Sequence, residues 1–179
     1  IVHLGAIPFN VELQPPYDTT PKKGPSCGGV RSNYVMPEDN AMKINTMGTF
    51  YVMDAARRMG VKNVIAASSY YCYGLGMRIS GVPFKPEYLP IDEKHPCTPE
   101  DTYSLSKHLG DEIMEAFCRA YDMNGVAMRL MGVYYPDLER SRNLYKMGID
   151  YVVPETEDKG YINGDTHQYV DARDIAYFV

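Results

Sequence analysis

One stretch constrains the fold more than any other: a helical pattern that runs into an apolar strand with almost no link between them. Helix signals start at Pro37-Glu38-Asp39, where proline suits a first turn and acids favour the positive end. Apolar residues at Ile44, Met47, Tyr51, Val52, Ala55 and Met59 keep helical spacing, and Gly60 reads as the stop. Asn63–Ala67, NVIAA, then reads as a buried strand. A helix delivered this directly into a buried strand predicts a βαβ unit, hence a parallel sheet.

The rest of the chain repeats the alternation. Ile1–Leu4 reads as a short strand ending at Gly5-Ala6, and 7–36 as a long proline- and glycine-rich loop. A second proline-broken loop spans 75–100. A second helix is predicted from about Glu100 to Tyr121, with Leu105, Leu109, Ile113, Ala116, Phe117 and Ala120 as its apolar stripe. Val126–Met131 is predicted as a third strand. His167–Val170 is predicted as another, with Asp171 capping a final helix. Alternating strands and helices define an α/β class with a mostly parallel sheet. Ligands in such sheets bind beyond the strands' carboxyl ends. The exits at Gly5-Ala6, Ser68-Ser69 and Gly132 are therefore expected to share one rim.

Composition narrows the function. A formal charge of −5 argues against a nucleic-acid partner, which needs a basic face. No run of 18 apolar residues exists, so no membrane partner is expected. Cys27, Cys72, Cys97 and Cys118 show no metal-like spacing and read as free thiols of a reducing cytoplasm. His3, His95, His108 and His167 lack zinc spacing, so no metal site is expected.

The residues that can carry chemistry are Tyr103 and Lys107, in YSLSK. On a helix, positions i and i+4 share a face. A phenol ionises near pH 10, too high for a base at neutral pH. An ammonium one turn away favours the phenolate, so the pair is expected to trade a proton with a substrate hydroxyl. Ser69, leaving the preceding strand, is placed to hydrogen-bond the same oxygen. In a chain with 16 tyrosines, one such Tyr/Lys pair is about what chance supplies, so order and context must carry the assignment.

Six segments supply that context. VHLGA (Val2 to Ala6), INTMGT (Ile44 to Thr49), NVIAASSYYCYG (Asn63 to Gly74), LPIDEKHPCTPEDTYSLSK (Leu89 to Lys107), MRLMGVYYP (Met128 to Pro136) and YVDARDIA (Tyr169 to Ala176) occur in this order. They resemble, in the same order, the signatures of the extended short-chain dehydrogenase/reductases, the NAD-dependent epimerase/dehydratases. The resemblance implies a Rossmann-like, doubly wound sheet lacking its first βαβ half. It implies that 1–135 is the catalytic part of the cofactor domain. Residues 136–179 would begin the substrate region, with the last strand and helix returning to the core.

Site roles follow from the same resemblance. Tyr103 is the implied acid/base, Lys107 its activator and ribose ligand, and Ser69 the catalytic serine, with Ser68 as its neighbour at the cofactor and the alternative for the serine's role. Leu4, Gly5, Ala6, Asn45, Met131 and Gly132 are implied along the cofactor, NAD with NADP left open. Tyr70, Tyr71 and Arg129 are implied near a sugar or nucleotide-sugar substrate, although a structural ion pair suits Arg129 as well. The expected activity is an epimerase or dehydrogenase of the cytoplasm, and a homodimer is compatible with it. A dehydratase is disfavoured, because Tyr70-Tyr71 offers no acid pair. Three departures stand out. Tyr135 occupies a usual glycine position, Cys72 a usual valine position, and no GxGxxG turn follows a strand. About two further strands and two helices are therefore expected before Ile1. The alternative expectation is a truncated or degenerate, non-catalytic module of the same fold.

Overall fold

The computed structural model describes residues 1–7, 40–76, 78–134 and 169–179. The expectations for the 8–36 loop, for the Pro37 helix start, for His167 and for the 135/136 boundary lie outside them. Three parallel strands, β1 (Val2–His3), β2 (Asn63–Ala67) and β3 (Asn124–Met128), pair in the order β1-β2-β3. Val2 lies opposite Ile65, and β2 runs in register with β3 from Asn63↔Asn124 to Ala67↔Met128. A parallel neighbour must be reached by a crossover. Helix α1 (Met47–Arg58) enters β2, and α2 (Thr102–Tyr121) enters β3. The Gly60 stop adopts φ +70, the left-handed backbone that lets α1 turn into β2 within a few residues.

The third strand is displaced from its expected place. It spans Asn124–Met128 rather than 126–131, so Arg129, not Gly132, leaves its carboxyl end. Gly132 instead opens β4 (Gly132–Tyr134), which pairs in parallel with β5 (Tyr169–Asp171) as a separate two-stranded sheet. Asp171 caps the last helix, α3 (Ala172–Phe178), by accepting from the Arg173 amide at 2.8 Å.

The apolar stripes fall only partly where expected: Phe117 is in the core and Ile113 packs against it, but other members lie elsewhere. The core between sheet and helices holds Met53, Ala56, Val64, Ala66, Met114, Phe117 and Met123. Ile44, Met47, Tyr51 and Met59 are exposed, and so is Leu105 of α2. The first turns of α2 bury small and polar residues, Ser104, Ser106 and Gly110, ahead of Met114 and Phe117. A β-carbon on Gly110 would meet the Thr49 hydroxyl at 3.4 Å. Close approach of two helices thus selects small residues over the larger apolar ones that periodicity picks out. β3 lies equally tight under α2, since a β-carbon on Gly125 would sit 2.8 Å from the Cys118 sulfur. Met53 is fully buried at this junction. Met53→Ala is expected to cost about 2–5 kcal/mol in a denaturant titration, because the surroundings cannot close the space it leaves.

Candidate active site

The site is built where β2 ends. After Ala67 the chain passes through Ser68 and Ser69 into a 3₁₀ turn, Tyr70–Tyr73. The Ser69 hydroxyl caps that turn by accepting from the Tyr71 amide at 3.2 Å. Gly74 closes it at φ +113. A side chain there would also run into Thr98, whose hydroxyl lies 2.6 Å from the β-carbon position. The Ser68 amide donates to Met128 at 2.9 Å and the Tyr70 amide to Leu130 at 3.1 Å, so the turn continues the β2–β3 ladder past its end.

The next element is tied to this turn. The Thr98 hydroxyl donates to the Tyr73 carbonyl at 2.9 Å, fixing the approach to α2. Asp101 caps α2 from a fully buried position. Its carboxylate accepts from the Ser104 amide at 2.8 Å and from the Ser104 hydroxyl at 2.7 Å. The sequence reading did not single out this cap, though an Asp three residues before a Ser at a helix start is a usable signal. Tyr103 thereby occupies the first turn of α2 and Lys107 the next.

Ser69, Tyr103 and Lys107 come together at the carboxyl end of β2. The Ser69 side chain lies near enough to the Tyr103 phenol to favour its ionised form. The Lys107 ammonium donates to the Ala67 carbonyl at 2.8 Å and stands 6.0 Å from the centre of the Tyr103 ring. Tyr71 meets the Tyr103 ring edge-on, with centroids 6.4 Å apart. His3 of β1 faces the same corner. Burial, then the charge of Lys107, lowers its pKa, so the imidazole is held neutral.

One electrostatic expectation is reversed. Spacing alone had Lys107 pulling the Tyr103 pKa down. Burial instead pushes it up, Ser69 opposes the rise, and Cys72, Tyr71 and Asp101 add to it. The physical reason is desolvation, which disfavours the phenolate. The ammonium is itself partly stripped of water, which lowers its own pKa, and it is aimed at the Ala67 carbonyl.

The other expected site residues divide. Leu4 and Gly5 are exposed at the end of β1, and Ala6 is half-buried. Asn45 is buried in a π-helical turn, Met42–Thr46, and its amide binds Ile7 and Ser106. It braces the β1 exit rather than facing open space. Ser68 is buried, with its hydroxyl 3.5 Å from the Cys72 sulfur. Met131 packs on an apolar cluster of Tyr70, Tyr73, Leu75 and Phe84, and Gly132 belongs to β4, so neither stands at the β3 exit. Tyr70 is part of that cluster, whereas Tyr71 reaches Tyr103. Arg129 pairs with Asp111 at 3.0 Å, and its guanidinium lies 4.8 Å from the Tyr73 ring centre. A cavity of about 760 Å³ opens along α2 and β3 beside Asp111 and Arg129, but Ser69, Tyr103 and Lys107 do not line it.

Cys72, Cys97 and Cys118 are free thiols. Burial pushes the Cys72 thiol up to about 11. Since the thiolate is the nucleophile, Cys72 is expected to resist alkylation at neutral pH until the protein is unfolded, as mass spectrometry of labelled peptides will read.

A parallel α/β sheet with a Ser, Tyr and Lys gathered beyond a strand end defines a class, and comparison with known proteins gives the family. The model of the NAD dependent epimerase/dehydratase family matches residues 27–178. The chain belongs to this family. It is 33% identical over 91 residues to a putative UDP-glucose 4-epimerase of Methanocaldococcus jannaschii, covering 51% of this chain and 27% of that protein. It is 31% identical over 117 residues to a uronate dehydrogenase of Pseudomonas putida, covering 65% of this chain and 39% of that one. The fold is shared with the Bordetella bronchiseptica enzyme WbmG in complex with NAD and UDP. The TM-score is 0.53 at 21% identity, over 99% of this chain and 44% of that one. The chain therefore matches less than half the length of each of these proteins.

Proposed function

We propose that this chain is the proton-handling part of an NAD-dependent enzyme that oxidises a hydroxyl-bearing carbon of a sugar or nucleotide sugar, as an epimerase or a dehydrogenase. The observation that carries this reading is the meeting of Ser69, Tyr103 and Lys107 at the carboxyl end of a parallel strand. The donor set fits a dinucleotide. Ala67 uses one of the three Lys107 donors, which leaves capacity for ribose hydroxyls, and the exposed Leu4-Gly5 exit admits a ligand beside them. Lys107, Tyr103 and the Leu4–Ala6 backbone would hold the cofactor, and its nicotinamide would supply the hydride acceptor.

The chain's own residues handle the proton. Tyr103 exchanges it with the substrate hydroxyl, while the Ser69 hydroxyl donates to the same oxygen as it becomes a carbonyl. Because burial raises the Tyr103 pKa, the phenol holds its proton at neutral pH in the chain alone. It becomes a base only when positive charge is added beside it. Tyr71, edge-on to Tyr103, borders the place the sugar would take. No carboxylate is hydrogen-bonded to Ser69 or Tyr103 among the described residues, which favours epimerisation or oxidation over dehydration. The free thiols fit a cytoplasmic setting.

The test uses the protein that carries this chain, mixed with NAD⁺ and either a free uronate or UDP-glucose. NADH accumulating with the uronate identifies the dehydrogenase. Interconversion of UDP-glucose and UDP-galactose without net NADH identifies the epimerase. A folded, NAD⁺-binding protein that turns over neither sugars nor nucleotide sugars would contradict the reading.

A further inference from the structure

Ser106 stands between Tyr103 and Lys107 in sequence, and the chemistry above does not use it. It is essentially fully buried, 1% exposed, as is its partner Asn45 at 3%. Their hydrogen bonds form one directed chain. The Ile7 amide donates to Asn45 Oδ1 at 2.7 Å, and Asn45 Nδ2 donates to the Ile7 carbonyl at 3.1 Å and to Ser106 Oγ at 3.0 Å. Ser106 Oγ donates to the Tyr103 carbonyl at 2.7 Å. A hydroxyl has one proton, and here it is committed to the carbonyl. Its lone pair must therefore accept from an N–H, which fixes the Asn45 amide with nitrogen toward Ser106 and oxygen toward the Ile7 amide. No other arrangement satisfies every donor.

We infer that Asn45 and Ser106 are positioning residues that act as one unit, locking the first turn of α2, and with it Tyr103, to the exit of β1. The inference rests on the reading of Tyr103 as the proton carrier. The geometry supports it from both ends. The two bonds to Ile7 imitate a strand pairing and hold the segment just after Leu4–Ala6. The bond to the Tyr103 carbonyl holds the backbone from which the phenol projects. The π-helical turn at Met42–Thr46 is the local irregularity that brings Asn45 inward, and the Thr49 hydroxyl donates to the Asn45 carbonyl at 2.9 Å, securing the turn in place. An alanine at 106 would leave one of the two Asn45 Nδ2 protons without an acceptor in a buried site, the other staying on the Ile7 carbonyl, and would release the Tyr103 carbonyl from its only side-chain donor among these contacts.

The test combines kinetics with a measurement that needs no substrate. In the whole protein, Ser106→Ala is expected to lower kcat by about tenfold with KM for the sugar substrate held within about twofold, as for a group that aligns rather than binds. The same substitution should speed hydrogen exchange at the Ile7 amide, which is far from position 106 in the chain. Ser106→Thr, which keeps the hydroxyl, should restore both. Asn45→Ala combined with Ser106→Ala should be no worse than the poorer single variant, because the two belong to one chain of bonds. Thermal melting confirms that each variant is folded. Unchanged kcat in folded Ser106→Ala, unchanged Ile7 exchange, or additive losses in the double variant would each overturn the inference. Tyr103→Phe is measured alongside. Full activity there would refute the reading of Tyr103, while Ile7 exchange would still decide on the Asn45–Ser106 link.

Discussion

Tyr103→Phe is expected to reduce kcat/KM by about 100- to 10,000-fold, the usual worth of a positioned acid/base. The substitution removes one oxygen and leaves the ring, so the edge-on contact with Tyr71 and the packing on α2 persist. NAD⁺ binding is expected to persist, because Lys107 and the Leu4–Ala6 backbone, the other groups that would hold the cofactor, are untouched and Lys107 keeps its bond to the Ala67 carbonyl. A loss confined to kcat/KM, with the melting temperature held, separates chemistry from stability. A variant that binds NAD⁺ normally and turns over at the parent rate would remove Tyr103 from the mechanism.

The second large effect concerns the frame that holds Tyr103. Gly76→Ala would drive a β-carbon into the Ser104 hydroxyl and the Asp101 carboxylate. Neither can yield cheaply. Both are fully buried and bonded to each other, and together they cap α2. Loss of the cap and overpacking together are expected to cost about 2–4 kcal/mol in a denaturant titration. Activity should fall with it, because the displaced turn carries Tyr103. A change below about 0.5 kcal/mol, the ordinary range for a surface position, would show that the loop can move aside.

Much of the frame is legible in the sequence. NVIAA reads as the strand it is, Gly60 as the stop, Asp171 as the last cap, and the Tyr103/Lys107 spacing places both groups on successive turns of α2. These features depend on local backbone rules. What the sequence hides depends on packing. Most of the expected α1 stripe is exposed, and the first half of the buried face of α2 is Ser104, Ser106 and Gly110, with Gly110 close against Thr49, before Met114 and Phe117 continue it into the core. The amide of Asn45, expected along the cofactor, is drawn inward by a π-helical turn that no spacing rule announces. The direction of the Tyr103 shift reversed for the same kind of reason. Separation along a helix gives the distance to a charge, but the cost of burial is set by what covers the phenol.

That cost leads to the most direct measurement. The tyrosinate absorbance of the whole protein, less that of Tyr103→Phe, follows this one phenol across pH, with and without NAD⁺. Without the cofactor, Tyr103 is predicted to ionise above its ordinary value near 10, since burial dominates. With NAD⁺ bound, the added positive charge beside the phenol is predicted to bring that ionisation down. A phenol that ionises below 10 in the free protein, or one whose titration is indifferent to NAD⁺, would contradict the account.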